Sequence, residues 1–229
     1  MAAQLVKLES APDLVDQVYR TLLDAISDGS LAPGQRITQE DIAEQLAVSR
    51  QPVLQALRLL KKDGFVLDAP GRGVQVAPLD AAWIGKVYEV RGALDALAVR
   101  LAANRHYRMD PRLIEQGRKV VRQAASKPNI KALIDADMAF HNAIYAASQN
   151  PLIAQSAQLH WQHLRRVMGA VLQSSLQRET VWDEHQAIAD AIAAGDAARA
   201  AELIEHHSQQ ASGNLTARLA EQLIHAQHP

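Results

Sequence analysis

Along most of the chain, apolar residues recur at helical spacing, with one interruption near residue 65 where the period shortens. Leu14, Val15, Val18, Leu22, Ala25 and Ile26 share one face and Gly29 follows, which predicts an amphipathic helix over residues 13 to 28. After the turn LAPGQ, Thr38 stands three residues before Asp41, an N-cap pattern opening a short helix to about Leu46. Ala47 and Val48 leave a tight connection. Ser49 is placed to cap a third helix, carried by Leu54, Leu57 and Leu60 to Asp63 and stopped by Gly64. The runs FVLDA and GVQVA, joined by PGRG, then read as a two-stranded hairpin. A helix, a helix-turn-helix and a hairpin in this order make a winged helix-turn-helix over residues 1 to 78.

Beyond Pro78 the pattern is helical throughout. Val87, Val90, Leu94, Leu97 and Leu101 form a stripe on the first helix of this part. Further helices are expected at about 110 to 125, 129 to 148, 151 to 176, 180 to 194 and 197 to 226, separated by Pro111, Pro128, the pair Asn150 and Pro151, and the pair Gly195 and Asp196. The expected fold class is mainly α, with the winged unit followed by an antiparallel helical bundle over residues 79 to 229.

Composition narrows this picture without changing it. The 229 residues suit two cores, and 48% hydrophobic with only 4% aromatic content favours helices packed through small residues. With no cysteine, disulfides, thiolate metal sites and a cysteine nucleophile are excluded. The opening MAAQLVKLES lacks a signal-peptide core and no apolar run has membrane-spanning length, so a cytoplasmic location and no membrane partner are expected. Net charge is only −1, yet Arg50, Arg58, Lys61, Lys62 and Arg72 face just Asp63 and Asp68 between residues 50 and 72. That local basic surface suits double-stranded DNA. Arg50 and Gln51 stand at the N-terminal end of the third helix, where a recognition helix meets base edges, and Arg72 stands at the wing tip near phosphates. Arg58, Lys61 and the wing residue Gly73 complete the DNA-facing set. The competing reading is a small helical domain with a surface hairpin.

All nine histidines lie after residue 78. Ile130, Ile134, Asp137, His141 and Ile144 are spaced by four, three, four and three, which puts Asp137 and His141 on an apolar face one turn apart. His185 shares a face with Ile188, Ala189 and Ile192. Of the adjacent pair His206 and His207, His207 shares a face with Ala200, Leu203 and Ile204 and is the inward one. Three helices thus turn metal-type ligands inward, which suits an Asp and three-His site for a divalent ion such as Zn²⁺ or Ni²⁺; the alternative is that each is a core histidine bonded to a neighbour. Arg91, one turn before Asp95, either clamps a carboxylate or pairs with Asp95. His160 and His163 either line the same pocket or lie on the surface.

The stretch GSLAPGQRITQEDIAEQLAVSRQPVLQALRLLKKDGFV resembles the DNA-binding domain of the GntR family of bacterial transcription regulators, most specifically in VSRQPV, the following AL, and DGFV. That family usually has Arg then Glu after PV, where this chain has Leu54 and Gln55, so the resemblance transfers DNA contacts to Arg50, Gln51 and Arg72 but not to position 54. Leu54 then either meets a thymine methyl or faces the core. Residues 80 to 225 resemble the FCD ligand-binding domain of the family's FadR branch, through EVRGALDALAVRLAA, DMAFH, the Glu184–His185 pair followed by AI and GD, and His207. Metal-binding members place an Asp, a His one turn later and two further His at the positions of Asp137, His141, His185 and His207. The resemblance implies a homodimeric regulator that reads operator DNA and answers to a small carboxylate effector. The alternatives are a metalloenzyme acting on a small carboxylate and a regulator whose metal is only a structural staple.

Overall fold

The computed structural model describes residues 14 to 71, 73 to 124, 126, 129 to 171 and 180 to 227. The chain divides into two compact units between Pro78 and Leu79. The first contains α1 (Leu14–Ser27), β1 (Arg36–Ile37), α2 (Gln39–Gln45), α3 (Arg50–Lys62), β2 (Val66–Asp68) and β3 (Val74–Val76). Its core joins Val18, Leu22 and Ile26 of α1 to Val53, Ala56, Leu57 and Leu60 of α3, with Phe65 and Val76 from the sheet. The Thr38 hydroxyl caps α2 by accepting from the Asp41 amide at 3.2 Å. Ser49 occupies the N-cap position of α3, but its side chain makes no capping hydrogen bond, which corrects the role assigned to it above. Ala47 sits at φ 52° in the turn between α2 and α3, so a left-handed residue, rather than glycine, closes the helix-turn-helix.

The sheet holds a strand that the hydrophobic pattern did not reveal. Arg36 and Ile37, between the turn LAPGQ and the Thr38 cap, pair with Gln75 and Val74, giving the antiparallel order β1-β3-β2. Two residues are too short to show an alternation, and their pairing is supplied by the wing. A β-carbon on Gly73 (φ +94°) would lie 2.5 Å from the Ile37 carbonyl oxygen, so glycine is what lets β1 approach the wing.

The second unit is all helical among the described residues: α4 (Ala81–Ala103), α5 (Pro111–Ala124), α6 (Ile130–Ser148), α7 (Pro151–Val171), α8 (Val181–Ala194) and α9 (Ala197–Gln227). The expected continuation of α7 through 172 to 176 lies outside the described residues. Asp80 caps α4 by accepting from the Ala82 and Trp83 amides, and Gly195 ends α8 in the left-handed conformation. The expected stripe on α4 is corrected by the packing: Val87 is buried, but Val90 and Leu97 are 49% and 43% exposed and Leu94 and Leu101 only partly covered. The buried face of α4 instead runs through Ile84, Tyr88, Arg91, Asp95, Ala98, Val99 and Ala102. Because α6, α7, α8 and α9 all pack on α4, its inward face is wide and accepts small residues and a paired charge. A stripe chosen by side-chain size therefore falls on the rim.

Candidate metal centre and nucleic-acid interface

On the winged unit, α3 presents Arg50, Gln51, Gln55, Arg58, Leu59 and Lys62 to solvent, while Pro52, Val53, Ala56, Leu57 and Leu60 anchor its other face. Arg50 Nη1 lies 3.0 Å from Glu40 Oε1 in an exposed pair, which holds the guanidinium at the entrance of α3. Leu54 is half-buried, between the two roles open to it. Arg58 is exposed with no ion pair among the described residues, and Lys61 pairs with Asp68 of β2 at 2.6 Å. Arg72 lies outside the described residues.

In the helical unit, Asp137 and His141 come from α6, His185 from α8 and His207 from α9; one ligand atom from each lies within 4.8 Å of all the others. All four residues are buried. Tetrahedral coordination at about 2.1 Å separates ligand atoms by about 3.4 Å, so a cation needs to draw this group in by only a small further movement. His185 Nε2 already stands 3.5 Å from Asp137 Oδ1. His206 is exposed, about 100° around α9 from the buried His207, as the periodicity requires. His163 is buried edge-on to Trp83 and His160 is half-buried; neither belongs to the four-residue group.

The polar atoms of this group fit a cation better than they fit each other. His141 Nε2 and both ring nitrogens of His185 are buried without a hydrogen-bond partner, a costly arrangement for three nitrogens in one place. Two of the histidines have a carboxylate behind the ring. Glu184 Oε2 lies 2.8 Å from His207 Nδ1, and Asp95 Oδ1 lies 3.6 Å from His141 Nδ1. This fixes the ring planes and leaves each Nε2 as the inward donor, the usual outer-shell arrangement of metal-binding histidines. His185 is instead held by stacking on Phe140, with ring centroids 3.9 Å apart, and by the edge of Trp182 at 4.6 Å. Gly117 of α5 makes room for Trp182, since a β-carbon there would fall 2.0 Å from the indole.

Electrostatics keep the set ready to bind. Burial, reinforced by the neighbouring His207 and His141, pulls His185 well below the usual imidazole range; burial also lowers His141, against the opposing pull of Asp95. Both rings are therefore neutral near pH 7 and carry free lone pairs. Burial disfavours the charge on Asp95, but Arg91 beside it, with His141 and the Tyr145 hydroxyl, holds its carboxyl below the ordinary range. Arg91 Nε donates to Asp95 Oδ2 at 3.0 Å, and its guanidinium carbon stands 4.3 Å from the Trp161 ring centroid. The Tyr145 hydroxyl also donates to Asp95, and Trp161 Nε1 donates to that hydroxyl at 3.2 Å. Arg91 thus forms the ion pair with Asp95. It also lines, with Asp137, His207, Asn214 and Arg218, a cavity of about 80 Å³ beside the four ligands, room for a few waters or one small molecule.

The sequence reading missed Tyr145, Trp182 and Gly117. Tyr145 was within reach of it, because residues 137, 141 and 145 follow one another by four along the inward face of α6. Trp182 and Gly117 lie on different helices, so no periodicity could pair them.

A winged helix-turn-helix and a separate helical unit with a buried ligand set define the class of bacterial regulators that join a DNA-reading domain to a sensing domain. The chain belongs to the gntR family of bacterial regulatory proteins, whose pattern matches residues 14–76, and it carries an FCD domain over residues 86–210. It is 35% identical over 95 residues to the HTH-type transcriptional regulator YdhC of Bacillus subtilis, covering 42% of each chain. It is 28% identical over 145 residues to the HTH-type transcriptional regulator McbR of Escherichia coli, covering 63% of this chain and 66% of McbR. The matches thus span less than two thirds of each of these two relatives. A GntR-type regulator from Rhodococcus sp. RHA1 shares the fold, with a TM-score of 0.71 at 24% identity over 89% of this chain and 97% of that one. The families and relatives matched are transcription regulators rather than enzymes.

Proposed function

We propose that this protein is a cytoplasmic, homodimeric transcription regulator whose winged units bind a palindromic operator and whose FCD unit binds a divalent metal and a small carboxylate that changes operator affinity. The observation carrying the sensing half is the four-residue group itself: one ring nitrogen each from His141, His185 and His207 gathers with a carboxylate oxygen of Asp137 beside a small cavity holding Arg91, and His141 Nε2 and both His185 nitrogens lack a hydrogen-bond partner. Asp137, His141, His185 and His207 hold the cation, and Zn²⁺ and Ni²⁺ both suit this nitrogen-rich set. Bound there, the metal supplies a Lewis-acidic position for a carboxylate oxygen. Asp95 and Glu184 orient two ligand rings, Phe140 and Trp182 fix the third and exclude water, and Arg91 gives the cavity a positive wall. No helix among the described residues is long and apolar enough to cross a membrane.

In the DNA-reading half, Arg50 and Gln51 face bases from the first turn of α3. Arg58, Lys61 and Arg72 meet phosphates, and Gly73 keeps the wing close to β1. The test starts from duplexes selected out of a random pool by the intact protein. Anisotropy titrations of the selected duplex follow, with metal-loaded and chelated protein, across a series of mono-, di- and tricarboxylates. A carboxylate that changes affinity by ~5-fold or more only when metal is present supports the reading. An equal response from chelated protein refutes the role of the metal in sensing.

A further inference from the structure

The cavity beside the metal ligands is lined by charge at more than one place. Its buried side carries Asp137, His207 and Arg91. From His207 the lining continues along α9 through Ala211, Asn214, Leu215 and Arg218, three or four residues apart and so on one stripe of the helix. Leu215 and Leu219, 6% and 1% exposed, pack into the core of the helical unit and fix the rotation of α9, which turns Asn214 and Arg218 to the cavity edge. Asn214 is exposed and Arg218 half-buried, so this end of the cavity meets solvent. Met168 of α7, Val181 of α8 and Leu215 give the wall an apolar part.

Two guanidinium groups thus share one small cavity, while Asp137, the acidic side chain among its described lining residues, belongs to the ligand set. Asp95 compensates Arg91 at 3.0 Å and Glu184 stands 2.8 Å behind the His207 ring; neither lines the cavity. The wall at the α9 end therefore holds a guanidinium and a carboxamide but no carboxylate. A guanidinium presents a planar fork of donors that matches a carboxylate, and a neighbouring carboxamide adds a further donor. A monocarboxylate seated at the buried side would turn its apolar tail to this polar end. A second carboxylate satisfies both ends.

We infer that the effector is a short dicarboxylate: one carboxylate sits at the cation position beside Arg91, the other is held by Arg218 and Asn214, and the methylenes lie against Met168, Val181 and Leu215. The inference rests on the carboxylate sensor proposed above and adds which carboxylates it takes. Helix geometry sets the length. Asn214 follows His207 by seven residues, about 10 Å along the axis, and both side chains lean towards the helix N-terminus, so their offsets cancel. Arg218, one turn further on, reaches back in the same direction to the level of Asn214. A metal–oxygen bond of about 2 Å at one end and a hydrogen bond of about 3 Å at the other leave about 5 Å between the outer oxygens, roughly the span of a four- or five-carbon diacid.

Isothermal titration of the intact, zinc-loaded protein compares succinate and glutarate with butyrate and succinamate, which match succinate in carbon number but lack its second charge. Succinate or glutarate is expected to bind at least ~10-fold more tightly than either control. Arg218→Gln is expected to weaken succinate at least ~10-fold and butyrate far less, and Arg218→Lys to keep part of the preference, because it restores the charge without the fork. Metal content and helical circular dichroism of both variants are expected to stay those of the parent, which separates loss of the anion contact from loss of the metal site or of folding. Succinate bound by chelated protein in an Arg218-dependent way supports the anion contact while contradicting the part given to the metal in sensing. Zinc-loaded protein that binds butyrate as tightly as succinate, or Arg218→Gln that weakens both alike, overturns the dicarboxylate and leaves the carboxylate sensor standing. Zinc-loaded protein that binds none of these acids overturns both.

Discussion

Arg91→Met removes the cation of the buried pair and keeps an apolar side chain of similar length. Arg91 and Asp95 are 2% and 1% exposed, so water cannot replace the lost guanidinium. The Asp95 carboxylate would keep only the Tyr145 hydroxyl and the more distant His141 ring as polar neighbours. Leaving one partner of a buried ion pair unmatched costs ~3–5 kcal/mol. For a unit of this size, each kcal/mol lowers the melting temperature by ~2–4 °C, so a drop of ~6–20 °C is expected. Urea unfolding followed by far-ultraviolet circular dichroism, on chelated protein to remove the metal contribution, measures this directly. Arg91→Met/Asp95→Leu, which removes both charges, should recover part of the loss, and the difference from the single variants gives the coupling. A loss below ~1 kcal/mol for Arg91→Met refutes the buried-pair assignment, because a cost that small belongs to a solvated pair. In that case Arg91 is a free anion clamp.

Other consequences follow from the same geometry. Glu184→Gln keeps the shape beside His207 but removes the charge that orients its ring, so metal affinity measured against a competing chelator should fall ~10–100-fold, with urea stability of the chelated protein little changed. In metal-free protein, His185 and His141 hold protons less readily when folded than the ordinary value of 6.5. The unfolded chain therefore binds more protons below about pH 6.5, and stability should decline as pH falls from there towards the lowered folded values, while remaining flat above pH 7. Stability that rises on acidification contradicts the buried neutral histidines. Gly117→Val forces the Trp182 indole away from His185 and should cost more than ~2 kcal/mol of stability together with most of the metal affinity; parent-like behaviour means that the indole has another place to go. In the winged unit, Arg50→Ala should weaken binding to a selected duplex by ~1–3 kcal/mol while sparing non-specific DNA, whereas Arg58→Ala should weaken both alike.

The helix-turn-helix was readable in sequence because its signals are local: a threonine cap at Thr38, a glycine stop at Gly64 and an apolar period short enough to sit within one helix. Strand β1 was not, since Arg36 and Ile37 acquire their partners from residues almost forty positions away. The inward histidines were readable because a polar residue on an apolar stripe stands out, and the packing indeed separates buried His207 from exposed His206. Periodicity showed which way Asp137, His141, His185 and His207 turn but could not show that three helices bring them together; that part came from family resemblance. The α4 stripe went wrong for a physical reason. A helix surrounded by neighbours buries alanines, an arginine and an aspartate, and its exposed Val90 and Leu97 then resemble core to any rule based on hydrophobicity alone.

The central claim is that buried imidazoles converge on a cation. Elemental analysis of the purified intact protein, beside a His185→Ala/His207→Ala variant shown by circular dichroism to be folded, tests it most directly. One divalent metal ion per chain in the parent and essentially none in the variant is the expected result. Equal metal content in both, or a parent that takes up no Zn²⁺ or Ni²⁺ on reconstitution at neutral pH, contradicts it.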